Sequence, residues 1–418
     1  MFGGFSAPDI VSRIRVFLAM IYVDVSHLIE YVTRRKTLSG IQRVTFNSVL
    51  ELHRVAGPGT ICALCYDPKT STFLTAEVST LADFVMATYG ANKGTAVLDA
   101  NWNSAAFSKD DTLFFSEWFW NEALLQAAGK LSRDTGVKIV TFIHDAAPTM
   151  VPEIFGAASV AQFNRRLSIA VGISDKILTN SHSSKHDILR SFDILKLKPV
   201  EVEVATLPHE FVGQLELLER HSGQLLTRDA NQKNLSRQIV APFVLCVGTI
   251  ENKKNVLRLI QVWAQLSKQH GAKMPRLVFV GRHGWQTVRL RALIFWQQHI
   301  MRRIVVLGHC DDAMLQRLYQ ACLFTVYVSL YEGWGLPVGE SLWFGKPVVS
   351  SNATSMPEVG GDMVSYVDPK DTNEIATAVE KMCFDDGYRQ NSAQHINKAR
   401  LLTWQAFGAK LYHLLISA

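Results

Sequence analysis

Cysteine is scarce in this chain, with six residues in 418, and their spacing is not that of a disulfide-stapled secreted domain. The one close pair, Cys62-Ala-Leu-Cys65, stands in an apolar run with no second pair beyond it. It reads as two buried thiols in a reduced compartment rather than a redox or metal site. Long apolar runs are missing too. The longest near the start, Val16 to Val23, falls well short of the roughly 20 residues that cross a bilayer, and no small-residue cleavage site follows it. The expected location is therefore cytoplasmic, with peripheral contact to the inner face of a membrane left open. No segment is low in complexity, and no basic stretch is interleaved with aromatics, so nucleic acid is not an expected partner.

What is present is a mildly basic globular chain, 48% hydrophobic and 19% charged, with 43 Lys and Arg against 37 Asp and Glu. Its length suggests two or three domains. Short β-rich runs alternate with amphipathic stretches through Val16–Val25, Gly40–Val55, Ile61–Tyr66, Thr112–Ser116, Val137–Ile143, Lys176–Asn180 and Val200–Thr206. That alternation predicts βαβ units. The polar segment Gln214–Gln238 interrupts it. Strands are then predicted at Phe243–Val247, Arg276–Val280, Ile304–Leu307 and Leu323–Ser329, with helices near Asn255–His270, Trp285–His299 and Asp312–Ala321. The expected organisation is an α/β protein of two Rossmann-like doubly wound domains facing across a cleft. Residues 1–210 form the first, 211–240 a linker or loop, and 241–418 the second, with the last helix free to cross back. Ligands of such sheets bind beyond the carboxyl ends of the strands.

The second domain carries the strongest signal. After the Leu323–Ser329 run comes Glu332-Gly-Trp-Gly-Leu-Pro-Val-Gly-Glu340, a loop that leads into a short helix ended by Gly345 and Pro347. Glycines there bring backbone amides close to a ligand, and Pro337 suits a first helical turn. Free amides at a helix start accept an anion such as a diphosphate, so Gly333, Gly335, Leu336 and Val338 are candidate donor-binding positions. Glu340, one turn in, can accept hydrogen bonds from ribose hydroxyls, and Glu332 faces the ligand ahead of the phosphates. A second element is Gly248-Thr-Ile-Glu-Asn-Lys253-Lys254, where two ammonium groups follow a strand-ending glycine and can neutralise a pyrophosphate as it departs. Gly281-Arg-His-Gly-Trp285 ends the next strand at the same edge, where packing explains it as readily as a ligand.

These residues resemble the retaining glycosyltransferases of family four, whose defining feature is a glutamate pair separated by seven residues at this place. The flanks, Gly345-Lys-Pro-Val-Val-Ser-Ser and Met356-Pro-Glu-Val-Gly360, are similar as well. The resemblance implies the GT-B fold and a nucleotide-diphosphate sugar as donor, GDP-mannose or a UDP-hexose by the family's habits. It implies a glycan or lipid-linked acceptor in polysaccharide assembly, with retention at the anomeric carbon. Lys254 matches the family lysine. Thr249 stands where many members have an arginine, so Lys253 takes that contact's share. In the first domain His144-Asp145, the turn Asn180-Ser-His-Ser-Ser184 and Gly40 resemble family positions, which places His144 at the cleft and brings Gly40 near the donor. Glu332, His144 and Lys254 are the expected catalytic residues. The chain has no Asp-x-Asp, the pair that holds a divalent cation in another class of glycosyltransferases, so neither metal nor cofactor is expected.

Acceptor recognition is expected near Asn101-Trp102-Asn and Glu117-Trp118-Phe119-Trp120, although most of those aromatics, with Phe114 and Phe115, should be core. Arg34-Arg35-Lys36 could meet an acceptor phosphate or form a solvated loop. The rival readings are a nucleotide-sugar epimerase and a non-catalytic nucleotide-sugar-binding protein of the same architecture.

Overall fold

The computed structural model describes residues 19–35, 38–88, 101–117, 121–213, 242–284, 288–296, 303–308 and 310–418. Lys36, Trp118, Phe119, Trp120, Trp285 and nearly all of the expected linker lie outside them.

The first sheet contains β1 (Ile21–Asp24), β2 (Ile61–Asp67), β3 (Thr72–Glu77), β4 (Asn103–Ser104), β5 (Thr112–Phe115), β6 (Lys138–Phe142), β7 (Lys176–Thr179) and β8 (Glu201–Val204), in the order β4-β3-β2-β1-β5-β6-β7-β8. Its central strands are parallel and buried on both faces, which is why they read as short unbroken apolar runs. The antiparallel β2–β3–β4 edge was not anticipated. Its turn is local chemistry: Asp67 accepts from the Lys69 amide and the Thr70 hydroxyl, and Ser71 takes φ 57°. Cys62 and Cys65, three apart on a strand, point to opposite faces and pack in different cores, so they cannot share a metal or a disulfide.

The second sheet holds β9 (Phe243–Val247), β10 (Arg276–Val280), β11 (Ile304–Leu307), β12 (Thr325–Tyr327), β13 (Val348–Ser351) and β14 (Ser365–Val367), all parallel, in the order β11-β10-β9-β12-β13-β14. Strand order reverses between β1 and β5 in the first sheet and between β9 and β12 in the second. These switch points put the loops after Asp24, Phe115, Val247 and Tyr327 at the sheet edges where a crevice opens.

Two local differences from the sequence reading have simple causes. The stretch after Asp24 forms a helix, Ser26–Arg35, because Leu28, Ile29 and Val32 share one buried face. On its solvated side Arg34 pairs with Glu30 one turn back. The strand expected over Leu323–Ser329 is only Thr325–Tyr327, since the backbone beyond it turns toward the Lys253 carbonyl, which accepts from the Leu330 amide.

The chain passes between the domains twice, side by side. Outgoing His209 and Glu210 donate their amides to the Leu402 carbonyl at 2.9 and 3.2 Å, and returning Leu402 and Trp404 donate to the side chains of His209 and Glu210 at 3.0 and 2.9 Å. The helix that follows, Trp404–Ile416, packs on the first-domain helix Gly40–Ala56, so closely that a Cβ on Gly408 would lie 2.6 Å from that of Glu51. Lys176 of β7 donates to the Ser417 carbonyl at 3.2 Å and fixes the far end of that last helix.

Candidate active site

Helix Leu336–Trp343 starts where the sequence suggested, with Gly335 at its N-cap and Pro337 in its first turn. Gly335 has φ +123°, a region that side chains rarely adopt. Two of the expected residues, Lys254 and Glu332, converge just before it on a tyrosine that was not expected, Tyr327. Lys254 Nζ lies 2.5 Å from Glu332 Oε1 and 2.6 Å from the Tyr327 hydroxyl, and Tyr327 reaches the same carboxylate oxygen at 3.1 Å. The backbone of Glu332 is pinned as well. Its amide donates to Thr354 Oγ1, and the Ser355 hydroxyl donates to its carbonyl and to that of Trp334.

Charge is balanced across this group. Burial alone would raise the Glu332 carboxyl, but Lys254 and Lys253 outweigh it and hold the carboxyl below the usual range. Burial works against the charge on Lys253 also, and Asp145 and Glu332 reverse that and raise it. Lys253 Nζ lies 3.4 Å from Asp145 Oδ2, so this pair bridges the domains. Burial and the neighbouring Glu332 push the Tyr327 phenol far up, which keeps it neutral and a donor.

The first domain meets the Glu332–Gly335 loop directly. A Cβ on Gly333 would lie 2.1 Å from the His144 carbonyl, a contact that only glycine permits. The Gly333 carbonyl accepts from the hydroxyls of Ser181 at 2.8 Å and Ser184 at 3.2 Å. Glu358 completes the seam by accepting the amides of His182 and Ser183, both at 2.7 Å, at the start of helix His182–Leu195. A carboxylate at a helix N-terminus is favoured by its unpaired amides and dipole. His144 stands at the end of β6, its Nε2 3.1 Å from the Ser116 carbonyl; burial lowers its pKa and favours the neutral ring.

The remaining expected positions are distributed as follows. Gly248 ends β9 with φ +143°, Thr249 is exposed, and Gly40 opens its helix with the Leu336 side chain 3.6 Å from where its Cβ would be. Val338 differs from the expectation in detail: its amide donates to the Gly335 carbonyl at 2.9 Å and its side chain is fully buried, so it supports the helix start from behind. Trp102, Phe114 and Phe115 are core residues.

Two groups escaped the sequence reading. Glu340 is engaged by Arg43 and Tyr319, neither of which was expected to touch it. At the first sheet's switch point, Glu117 accepts from Gln42 at 2.9 Å and is paired with His27, while its other oxygen is buried with no hydrogen-bond partner among the described residues. Beside it is Asp24, 1% exposed, whose carboxyl burial pushes up to about 7. That value exceeds the unfolded one of 3.8, so the folded state holds the proton more tightly. Stability is therefore expected to fall as pH rises from about 3.8 to about 7, by roughly 4 kcal/mol in all. Asp24→Asn should flatten this slope. Urea midpoints at pH 5 and pH 8 test it, and an equal loss in both proteins would refute the assignment.

Two sheet-and-helix domains closed on a strand–loop–helix site define the GT-B architecture. Residues 227–400 match the family model described as glycosyl transferases group 1. Over 279 residues the chain is 29% identical to O-antigen chain mannosyltransferase B of Escherichia coli, covering 64% of this chain and 67% of that one. It is 25% identical over 281 residues to the serotype-specific mannosyltransferase WbdA of the same organism, where the match covers 67% of this chain but only 33% of WbdA. Among solved structures, Anabaena HepE in complex with UDP and glucose superposes with TM-score 0.61 at 14% identity, covering 96% of this chain and 100% of that one. WaaG, a glycosyltransferase of lipopolysaccharide biosynthesis, does so with TM-score 0.58 at 12% identity, covering 96% and 100%. Fold, family match and relatives together support glycosyltransferase activity for this chain.

Proposed function

We propose that the chain transfers a hexose, mannose from GDP-mannose in the first instance, to a glycan or lipid-linked acceptor in bacterial-type polysaccharide assembly. The reaction retains anomeric configuration and uses no bound metal. The observation that carries this reading is the Lys254–Glu332–Tyr327 cluster in front of the Leu336–Trp343 helix start, with Lys253 beside it. Mannose is favoured by the names of the relatives; a UDP-hexose is the alternative donor.

The chemistry asked of these residues is electrostatic. The bond from the anomeric carbon to the diphosphate breaks while a bond to the acceptor oxygen forms on the same face, and the acceptor's proton passes to the departing phosphate. Lys253, Lys254 and the amides at Gly335 and Leu336 meet the negative charge that develops there, and two ammonium groups supply what a cation would otherwise supply. Glu332 faces the transferred sugar and Glu340 the ribose. His144, in its neutral form, orients the reacting sugar from the opposite domain. An epimerase or a non-catalytic binder of the same architecture is not favoured by relatives named as transferases.

Thermal denaturation against GDP, UDP, ADP and their sugars tests the site. One base is expected to raise the midpoint by several degrees at saturation, and Glu340→Ala should abolish that response. Nuclear magnetic resonance of the transfer product gives the anomeric configuration, and activity should survive EDTA. If no nucleotide stabilises the native chain, the donor assignment is wrong.

A further inference from the structure

Glu340 is buried, its side chain 5% exposed, and both of its oxygens are occupied by protein groups. Tyr319 donates its hydroxyl to Oε2 at 2.7 Å from within the second domain. Oε1 is taken by Arg43 Nη2 at 2.5 Å, and Arg43 belongs to the first domain, 297 residues earlier. It projects from the opening turns of helix Gly40–Ala56 across the cleft, with its side chain 14% exposed. Its guanidinium stands 5.4 Å from the Phe211 ring centroid and 4.0 Å from Asp312. Phe211, Tyr319 and Phe344 pack as one aromatic group behind the carboxylate, Tyr319 and Phe344 stacked at 5.3 Å.

A carboxylate offers about four lone-pair directions, two on each oxygen. Arg43 and Tyr319 use one on each oxygen, which leaves one on each, the number that two vicinal hydroxyls need. A carboxylate this buried also requires a counter-charge, because an unpaired buried charge is strongly destabilising. Arg43 supplies that charge with a planar fork held against an aromatic ring, so the carboxylate is fixed in direction as well as neutralised.

We propose that Arg43 is a positioning residue for the nucleoside half of the donor: it acts through Glu340, so that the ribose site is completed by the first domain. This rests on the reading of Glu340 as the ribose ligand. Recognition of the nucleoside and juxtaposition of the domains thereby become one event, since the sugar-nucleotide meets a correctly held Glu340 only when the Gly40–Ala56 helix is seated.

Titration calorimetry on the full chain with GDP, UDP and inorganic pyrophosphate tests this, using Arg43→Ala, Arg43→Gln, Arg43→Lys, Glu340→Gln and the Arg43→Ala/Glu340→Gln pair. Pyrophosphate carries the phosphates alone and meets only Lys253, Lys254 and the helix start. Arg43→Ala is expected to weaken the preferred nucleotide by about 30-fold, as truncating one partner of a buried pair does, and to leave pyrophosphate affinity unchanged. Arg43→Lys should recover part of the loss because it keeps the charge without the fork. The double variant should bind no more weakly than the poorer single one, the signature of coupled residues. Should Arg43→Ala fail to fold, Arg43→Gln, which keeps length and hydrogen-bond donors, is read in its place with the same expectation. The proposal is overturned if the Arg43 variants bind nucleotide as well as or better than the native chain, since the ion pair would then compete with ribose. Equal loss of nucleotide and pyrophosphate would overturn it too. Failure of the native chain to bind GDP or UDP, or normal binding by Glu340→Gln, would instead sink the underlying assignment of Glu340, and this inference with it.

Discussion

Lys254→Ala is expected to lower the transfer rate by roughly 100- to 1,000-fold, the range seen when one donor to a developing negative charge is removed. Lys254 reaches both Glu332 and Tyr327 from the first turn after β9, and Glu332 is 7% exposed. Two effects therefore coincide: the leaving diphosphate loses a counter-charge, and a buried carboxylate loses its nearest cation. The second effect alone costs about 3 kcal/mol of stability. Lys254→Ala combined with Glu332→Gln separates them. The double variant should regain thermal stability and remain as slow as the single one. Release of nucleoside diphosphate in the presence of acceptor gives the rate, and a Lys254→Ala enzyme retaining more than a tenth of native turnover would remove Lys254 from the mechanism.

Gly333→Ala should be nearly as severe for a different reason. The added methyl would sit 2.1 Å from the His144 carbonyl and 3.0 Å from Asp145 Cβ. The first contact is with backbone at a strand end, which cannot turn aside as a side chain would. Either the loop or the first domain must withdraw by about an ångström, a misplacement that can cost roughly 100-fold in rate. The Ser181–Gly333 hydrogen bond and the Lys253–Asp145 pair should weaken together. A loss of that order in kcat/KM with circular dichroism unchanged is the expected result; near-native kcat/KM would mean that the seam between the domains is soft.

How much of this could be read in advance differs by residue. β9, β10 and β11 were placed to the residue because each is a short apolar run bounded by polar or turn residues, and burial on both faces leaves that mark locally. The Glu332–Glu340 loop was legible because glycine, proline and carboxylate positions all answer to one geometry within nine residues. Arg43 was not. It lies three residues from a glycine that drew notice, but its partner is 297 residues away, and nothing local marks an arginine that will cross a cleft. Tyr319 and Tyr327 were hidden likewise, since each reads as an ordinary core aromatic until its hydroxyl is seen on a carboxylate. The antiparallel β3–β4 edge carries the weakest period, with half its residues facing solvent. Val338 shows the opposite case, a motif position whose own amide is already used inside the helix.

The paired crossings at His209–Glu210 and Leu402–Trp404 restrict what the molecule can do mechanically. A single tether would let the domains swivel in any direction. Two tethers lashed together by five hydrogen bonds, with the returning one continued as a helix laid along Gly40–Ala56, resist that torsion. The helix that bears Arg43 is thus braced by the last helix of the chain, which backs the Arg43 side of the Glu340 contact.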